Sequence, residues 1–406
     1  MTKADKEGQR KAPILRFKGF TDDWEQRKLG EIGKTYSGLT GKNKSDFEKG
    51  NSNFVTFLEV LNNPVLKNID LTNKVEIKEN EHQNKVKRND ILFNTSSETP
   101  EEVATSTVVD VNQDNLYLNS FCFGFRPNVQ FSNYYIGYYL RSNHFRSRVF
   151  CLAQGISRYN ISKKSLIKLK LSLPKLEEQD KISRIFNQIE LLLTLYERKK
   201  ELLKKFQQGF SDILFKKNPK ECVSLGDYFY FNKGKNIGNK DLINNGKYYA
   251  IVYGELYTTY NYVISKVFSK TSIKGFKGRK NDLLFPSSST VPFGTATCSA
   301  LEIDNIELGN DIIVARPKNT NELDSAFISY QINSKRKILY PIISGTTITH
   351  MYSKDLSKIR IWLPNITTQN YISNILQRIS HLNILVDKKV NILKEIKKEF
   401  LNTMFI

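Results

Sequence analysis

Cysteine is scarce. The four present, Cys122, Cys151, Cys222 and Cys298, lie far apart with no C-x-x-C pair. That spacing excludes a disulfide framework and a cysteine-ligated zinc site, and it predicts reduced thiols in the cytoplasm. The four histidines, His82, His144, His350 and His381, are equally scattered, so no His-x-x-x-His metal helix can form. No run approaches eighteen apolar residues, which predicts no membrane span. Met1 to Arg10 is polar, and no signal peptide is expected. Acidic side chains are also in deficit, 41 Asp and Glu against 62 Lys and Arg, giving a net charge of +21. A chain this basic calls for an anionic partner, and nucleic acid is the commonest.

The motifs of phosphate, dinucleotide and base chemistry are missing too. Gly33 to Asn43 is rich in Gly, Lys and Thr, but Gly38 is followed by Leu39-Thr40 where a P-loop needs Lys and Ser or Thr. No G-x-G-x-x-G opens a helix after a strand, so no nucleotide or adenosylmethionine loop is expected. No Asn-Pro-Pro-Tyr box is present for a flipped adenine. Asp70 with Glu76 and Lys78 gives a faint acid-acid-lysine string that the second half of the chain does not repeat. The serine strings 95–97 and 287–289 lack a partnered His or Lys, so they read as turn or phosphate-contact hydroxyls. The chain reads as a binding protein rather than an enzyme.

What is present is a duplication. Of the 406 residues, 39% are hydrophobic and 12% aromatic, enough for two or three packed domains. Leu29-Gly30-Glu31 answers to Leu225-Gly226-Asp227, and Asn89-Asp90 to Asn281-Asp282 at an offset of 192. From Arg126-Pro127 and Arg316-Pro317 onward the offset holds at 190, through Gly155 and Gly345, Leu173-Pro174 and Leu363-Pro364, and Phe215 and Phe405. One unit is written twice. Each copy predicts a mixed α/β domain followed by a long helix. Residues 134–149 and 325–339 read as helices, and 168–173 and 358–363 as closing strands that end at a proline. The expected domains are 13–174 and 218–364, with helices over 175–217 and 365–406.

The helices carry matched apolar stripes. The first steps through Ile182, Ile185, Ile189, Leu192, Tyr196, Lys199, Leu203, Phe206, Phe210 and Ile213. The second steps through Ile372, Ile375, Ile379, Leu382, Val386, Lys389, Leu393, Ile396, Phe400 and Thr403. Two stripes of 3.5-residue period satisfy each other best, which predicts an antiparallel intramolecular coiled coil. The fold class is α+β: a tandem-duplicated, pseudo-twofold chain with two mixed α/β domains and a helical rod of roughly 57 Å at ~1.5 Å per residue. The charge excess is +4 over 175–220 and +3 over 365–406, so +14 lies outside the helices and marks the domains as the nucleic-acid face.

The opening Leu15-Arg16-Phe17-Lys18-Gly19-Phe20, Trp24-Glu25 and Lys28-Leu29-Gly30-Glu31 resembles the start of the specificity (S) subunit of Type I restriction–modification enzymes. Leu173-Pro174, Glu178-Gln179 and Ile182 before the long helix are similar to that family's central region; the second copy keeps Leu363-Pro364, Gln369 and Ile372 but has Thr368 for Glu178. The resemblance implies two target recognition domains, each reading one half of a bipartite asymmetric site in double-stranded DNA, with the helices setting the gap. It implies as partners two methyltransferase (M) subunits and motor/nuclease (R) subunits. No cofactor is expected in this chain: adenosylmethionine, ATP and Mg would belong to those partners, as would catalysis. A stand-alone endonuclease or methyltransferase and a protein-only coiled-coil adaptor are the alternative readings.

Loops in equivalent places of both copies supply the candidate DNA contacts, since basic, hydroxyl and amide side chains carry that chemistry. In the first copy they are Lys34, Ser37, Thr40, Lys42, Lys44, Ser96, Ser97, Gln154, Ser157, Arg158, Tyr159 and Asn160. In the second they are Lys233, Lys235, Asn236, Lys240, Ser288, Ser289, Thr290, Thr346, Thr347, Thr349, His350 and Tyr352. The segments after Gly155 and Gly345 are the foremost of these.

Overall fold

The structure, a computed structural model, describes residues 12–216, 222–291 and 293–406. The chain forms two compact units that cut across the long helices. One holds the residues up to Tyr196 together with Lys389–Ile406, and the other is Glu197–Lys388.

In the first unit a five-stranded sheet runs Gly33–Ser37, Cys122–Pro127, Ile91–Asn94, Ser106–Val109, Val65–Leu66. Its inner strand Ile91–Asn94 is buried at every position, and an apolar run with both faces covered is what a central strand requires. In the second unit the order Phe229–Lys233, Ile312–Pro317, Leu283–Pro286, Ser299–Leu301, Val263–Ile264 repeats it, with the same antiparallel pairings and the same parallel last strand. Asn89 and Asn281 precede the inner strands at φ of 70° and 71°, a left-handed turn that Asn tolerates better than most residues. Closing strands also match: Glu25–Lys28 pairs with Lys170–Leu173, and Cys222–Ser224 with Arg360–Trp362.

The helix expected over 134–149 is two helices, Asn133–Tyr139 and Asn143–Phe150. Ser142 divides them: its hydroxyl donates to Tyr139 O at 2.7 Å and accepts from Phe145 N as an N-cap. In the second unit Ser325–Ser334 is continuous and gives way to a short 3₁₀ turn, Arg336–Ile338.

The long helices span Leu176–Phe215 and Ile366–Thr403. They pair antiparallel within each unit. In the first, Glu190 meets Lys397, and Lys389 Nζ donates to the Tyr196 hydroxyl at 3.2 Å. In the second, Lys200 pairs with Asp387, and Gln207 donates to Ser380 Oγ at 3.3 Å. The seam differs from the expected stripe at alternate positions. The inward residues step Ile182, Phe186, Ile189, Leu193, Tyr196, Lys200, Leu203, Gln207, Phe210, Leu214, and the second helix repeats this as Ile372, Leu376, Ile379, Asn383, Val386, Val390, Leu393, Lys397, Phe400, Met404. Apolar neighbours such as Ile185-Phe186 and Leu192-Leu193 permit both registers. Domain packing selects one of them, because Phe186 stacks on Tyr138 with ring centroids 4.4 Å apart. Leu192, Leu195, Leu202 and Phe206 are therefore left exposed, as are their equivalents Leu382, Leu385, Ile392 and Ile396.

The end of the first long helix and the residues just beyond the second finish the cores. Phe405 packs against Tyr135, Tyr139 and Phe186 at centroid distances of 5.7, 5.8 and 5.6 Å in the first unit. Phe215 does the same for Phe327 at 5.6 Å in the second.

Candidate nucleic-acid interface

The scaffold is locked by a repeated ion pair. Arg126 donates from Nε and Nη2 to both oxygens of buried Asp90, which also accepts from the Tyr36 hydroxyl at 2.7 Å. Hydrogen bonding to Asp90 holds the Arg126 guanidinium above its ordinary pKa, and burial, then the Asp90 charge, raises the Tyr36 phenol. Arg316 and Asp282 repeat the pair, with the Arg316 pKa raised by the same hydrogen bonding.

From the end of each sheet a short serine strand runs out. Ser96–Ser97 pairs with Tyr159–Asn160, while Ser288–Ser289 pairs with His350 and Thr349. Each partner strand is one arm of a tight hairpin. In the first unit Gln154 and Asn160 exchange backbone hydrogen bonds of 2.9 and 2.8 Å across Gly155, whose φ is 137°. In the second, Ser344 faces His350 across Gly345, at φ 97°. A Cβ on either glycine would lie 2.1 Å from the carbonyl oxygen three residues on, of Arg158 or Ile348, so only glycine fits. The exposed tips are Ile156-Ser157-Arg158 and Thr346-Thr347-Ile348, and burial follows the same order through residues 151–160 and 341–350.

The sequence candidates thus divide into groups. Ser96, Ser97, Gln154, Ser157, Arg158, Tyr159 and Asn160 come together on one serine strand and hairpin. The two serines are buried and Ser97 Oγ donates to Glu102 at 2.7 Å, so the hairpin supplies the outward side chains. Ser37 joins this end of the sheet, where it accepts from Lys163 Nζ at 2.8 Å; sequence reasoning passed over Lys163. Lys34 is exposed at the opposite end of the same strand, across from Arg126. Thr40, Lys42 and Lys44 belong to a separate loop held by Gln83 and the segment 76–81. Lys42 is not outward: its Nζ is spent on Glu81 and on Glu76 O, and its side chain is 3% exposed. Lys44 is exposed.

In the second unit Ser288, Ser289, Thr346, Thr347, Thr349 and His350 share a three-stranded sheet and its hairpin, with Thr290 and Tyr352 exposed beside it. Ser289 is buried, its hydroxyl accepting from Val291 N at 3.0 Å, and Thr349 donates to Ser289 O at 3.2 Å. Lys233 ends the strand Phe229–Lys233, and Lys235, Asn236 and Lys240 lie on the exposed loop that follows, in which Asn236 takes φ 65° and donates to Lys274 O. Sequence reasoning also missed the turn after each serine strand. Residues 98–102 carry exposed Glu98, Glu101 and Glu102, and the second turn carries exposed Val291 and Phe293. The 192-residue offset was the signal that would have aligned them.

Among the described residues no group of three His, Cys, Asp or Glu side chains could hold a metal ion, and no helix is long and apolar enough to cross a membrane. Asp70 of the acid-acid-lysine string caps its own turn, accepting from Thr72 N and Oγ1 at 2.9 and 2.7 Å.

Known proteins repeat this architecture. Over 94% of its length the chain is 24% identical to a putative type I restriction enzyme MjaX specificity subunit of Methanocaldococcus jannaschii, covering 93% of that protein. Among solved structures it is similar to the S subunit of a type I restriction-modification system from M. genitalium, with a TM-score of 0.63, 15% identity, and 97% and 99% of the two chains covered. A chain from a structure of type I R-M complex assembly gives a TM-score of 0.53 at 16% identity, covering 93% and 96%. The type I restriction modification DNA specificity domain matches residues 21–205 and again 218–398. Those two matches coincide with the two copies of the repeat, and the chain belongs to the type I restriction modification DNA specificity family.

Proposed function

We propose that this chain is the DNA specificity subunit of a cytoplasmic type I restriction–modification complex. Each domain reads one half of a bipartite, asymmetric site in double-stranded DNA, and the long helices set the gap. The observation that carries this reading is the pair of glycine-turned hairpins. They stand on corresponding scaffolds and offer different side chains, Ser157 and Arg158 in one, Thr346 and Thr347 in the other. A common frame with divergent tips suits two unlike half-sites, and the net charge of +21 suits the phosphate backbone.

The exposed apolar stripe on each long helix supports docking of two methyltransferase subunits. Leu192, Leu195, Leu202 and Phe206 flank the seam, and apolar residues hold the four equivalent places on the second helix. Antiparallel pairing sets like flanks side by side, giving within each unit a face suited to further helices. Adenine-N6 methylation, ATP-dependent restriction and their cofactors belong in this reading to the methyltransferase and motor/nuclease partners.

The test is a genome-wide map of N6-methyladenine with the gene present and deleted. A two-part motif of fixed gap should vanish on deletion and return on complementation. Identical maps, with a matching methyltransferase subunit expressed, would overturn the reading.

A further inference from the structure

Beside the hairpin Ser344–His350 lies a cavity of about 290 Å³, and of the ten described residues that line it none is charged. A quarter of the whole chain is charged, so this lining departs sharply from its surroundings. Six of the ten bear hydroxyls, including Tyr340 and exposed Thr346 and Thr347, and the rest include Val291 and Phe293. Phe293 is 58% exposed and stacks on Tyr340 with ring centroids 4.7 Å apart.

The position of Phe293 is built rather than incidental. Its φ of 57° places a bulky residue in the left-handed region, where strain persists only if the surroundings impose it. They do. Ser289 Oγ accepts from Val291 N at 3.0 Å, and a Cβ on Gly294 would fall 2.2 Å from that same oxygen, so the turn is pressed onto its strand. The strained backbone holds an aromatic ring toward solvent, where it forgoes burial. The equivalent turn of the first unit carries Glu98, Glu101 and Glu102 instead.

In the major groove guanine offers two acceptors, best met by Arg or Lys, while the amino groups of cytosine and adenine are best met by carboxylates or amides. Thymine alone offers a methyl group beside a single acceptor, O4. Hydroxyls can serve more than one base, but only thymine gives the apolar rings of this uncharged cavity a methyl group to bury. We propose that the second domain reads a thymine of its half-site, seating the 5-methyl group against Phe293, backed by Tyr340, while a threonine hydroxyl of the hairpin tip donates to O4. This rests on the specificity-subunit reading and deepens it by naming a base and the residue that selects it.

The test uses the complex assembled with its methyltransferase partner and duplexes carrying the target found by methylation mapping. Uracil, which lacks only the methyl group, replaces each thymine of both half-sites in turn. At one position, in one half-site, the substitution should weaken binding about fourfold, the loss of ~0.8 kcal/mol for one methyl group. Phe293→Ala should lose a similar factor on thymine DNA and become indifferent to uracil at that position alone, while Phe293→Leu keeps part of the preference. A wild-type complex that binds its target selectively but tolerates uracil at every position would overturn the inference and leave the specificity role standing. So would a uracil effect that Phe293→Ala leaves unchanged. A complex with no preference among DNA sequences would instead overturn the reading beneath it.

Discussion

Arg126 grips Asp90 through two parallel hydrogen bonds of 2.9 and 2.7 Å, and Arg316 holds Asp282 through the same pair at 2.8 and 2.7 Å. Each bond pair ties the second strand of a sheet to the turn that starts the central one. Both carboxylates are 1% exposed, so removal of the arginine leaves a buried charge short of partners. Arg126→Ala should destabilise the first unit by roughly 2–4 kcal/mol, and Arg316→Ala the second by a similar amount. Urea unfolding followed by hydrogen exchange should place each loss in its own unit.

Gly155→Ala and Gly345→Ala test the hairpins. The new methyl group would collide with the carbonyl of Arg158 or Ile348. Each substitution should abolish recognition of one half-site and leave secondary structure by circular dichroism unchanged, because the hairpins stand outside the five-stranded sheets. Methylation mapping reads out which half of the motif is lost.

Arg158→Ala is a finer probe of the same tip. If Arg158 contacts a base, discrimination at one position should fall by ~1–3 kcal/mol, with other positions intact. A uniform loss on all sequences, with a shallower salt dependence, would make it a phosphate contact instead.

Leu192 and Leu193 are adjacent and should behave oppositely. Leu193 is 7% exposed in the seam and Leu192 is 42% exposed on the flank. Leu193→Ala should lower the stability of the free subunit by about 2–3 kcal/mol, in the range for a buried leucine. Leu192→Ala should leave that stability within ~0.5 kcal/mol. On the proposed function it should weaken assembly with a methyltransferase subunit, measured by analytical ultracentrifugation.

Thiol chemistry gives an independent check on burial. Burial pushes the Cys122 and Cys298 thiols up to about 12, whereas Cys151 is exposed. Native-state alkylation at pH 8 should modify Cys151 rapidly and spare Cys122 and Cys298 until the chain is unfolded.

The repeat was legible because duplication leaves identities at fixed offsets. The strand pairings bear it out residue by residue, with Ile91 facing Val108 in one copy and Leu283 facing Ala300 in the other. The helices were legible from their length and period, but their facing residues were not. Ile185-Phe186 and Leu192-Leu193 satisfy either register, and the choice was made by Tyr138, a residue of the globular domain more than forty positions upstream. Lys42 read as a free cation because its partner Glu81 is thirty-nine residues away. Phe293 was passed over because nothing in the sequence marks its left-handed backbone, and its exposure shows that it points outward.

The core of the first unit includes Met404, Phe405 and Ile406. That unit is therefore discontinuous in the chain, whereas the second, Glu197–Lys388, is continuous. During synthesis the domain that emerges first cannot seal its interior until residue 406 has cleared the ribosome, and the domain that emerges second can be finished before it. Order of birth and order of completion are reversed. Until Phe405 arrives, the interior around Tyr135, Tyr139 and Phe186 stays open.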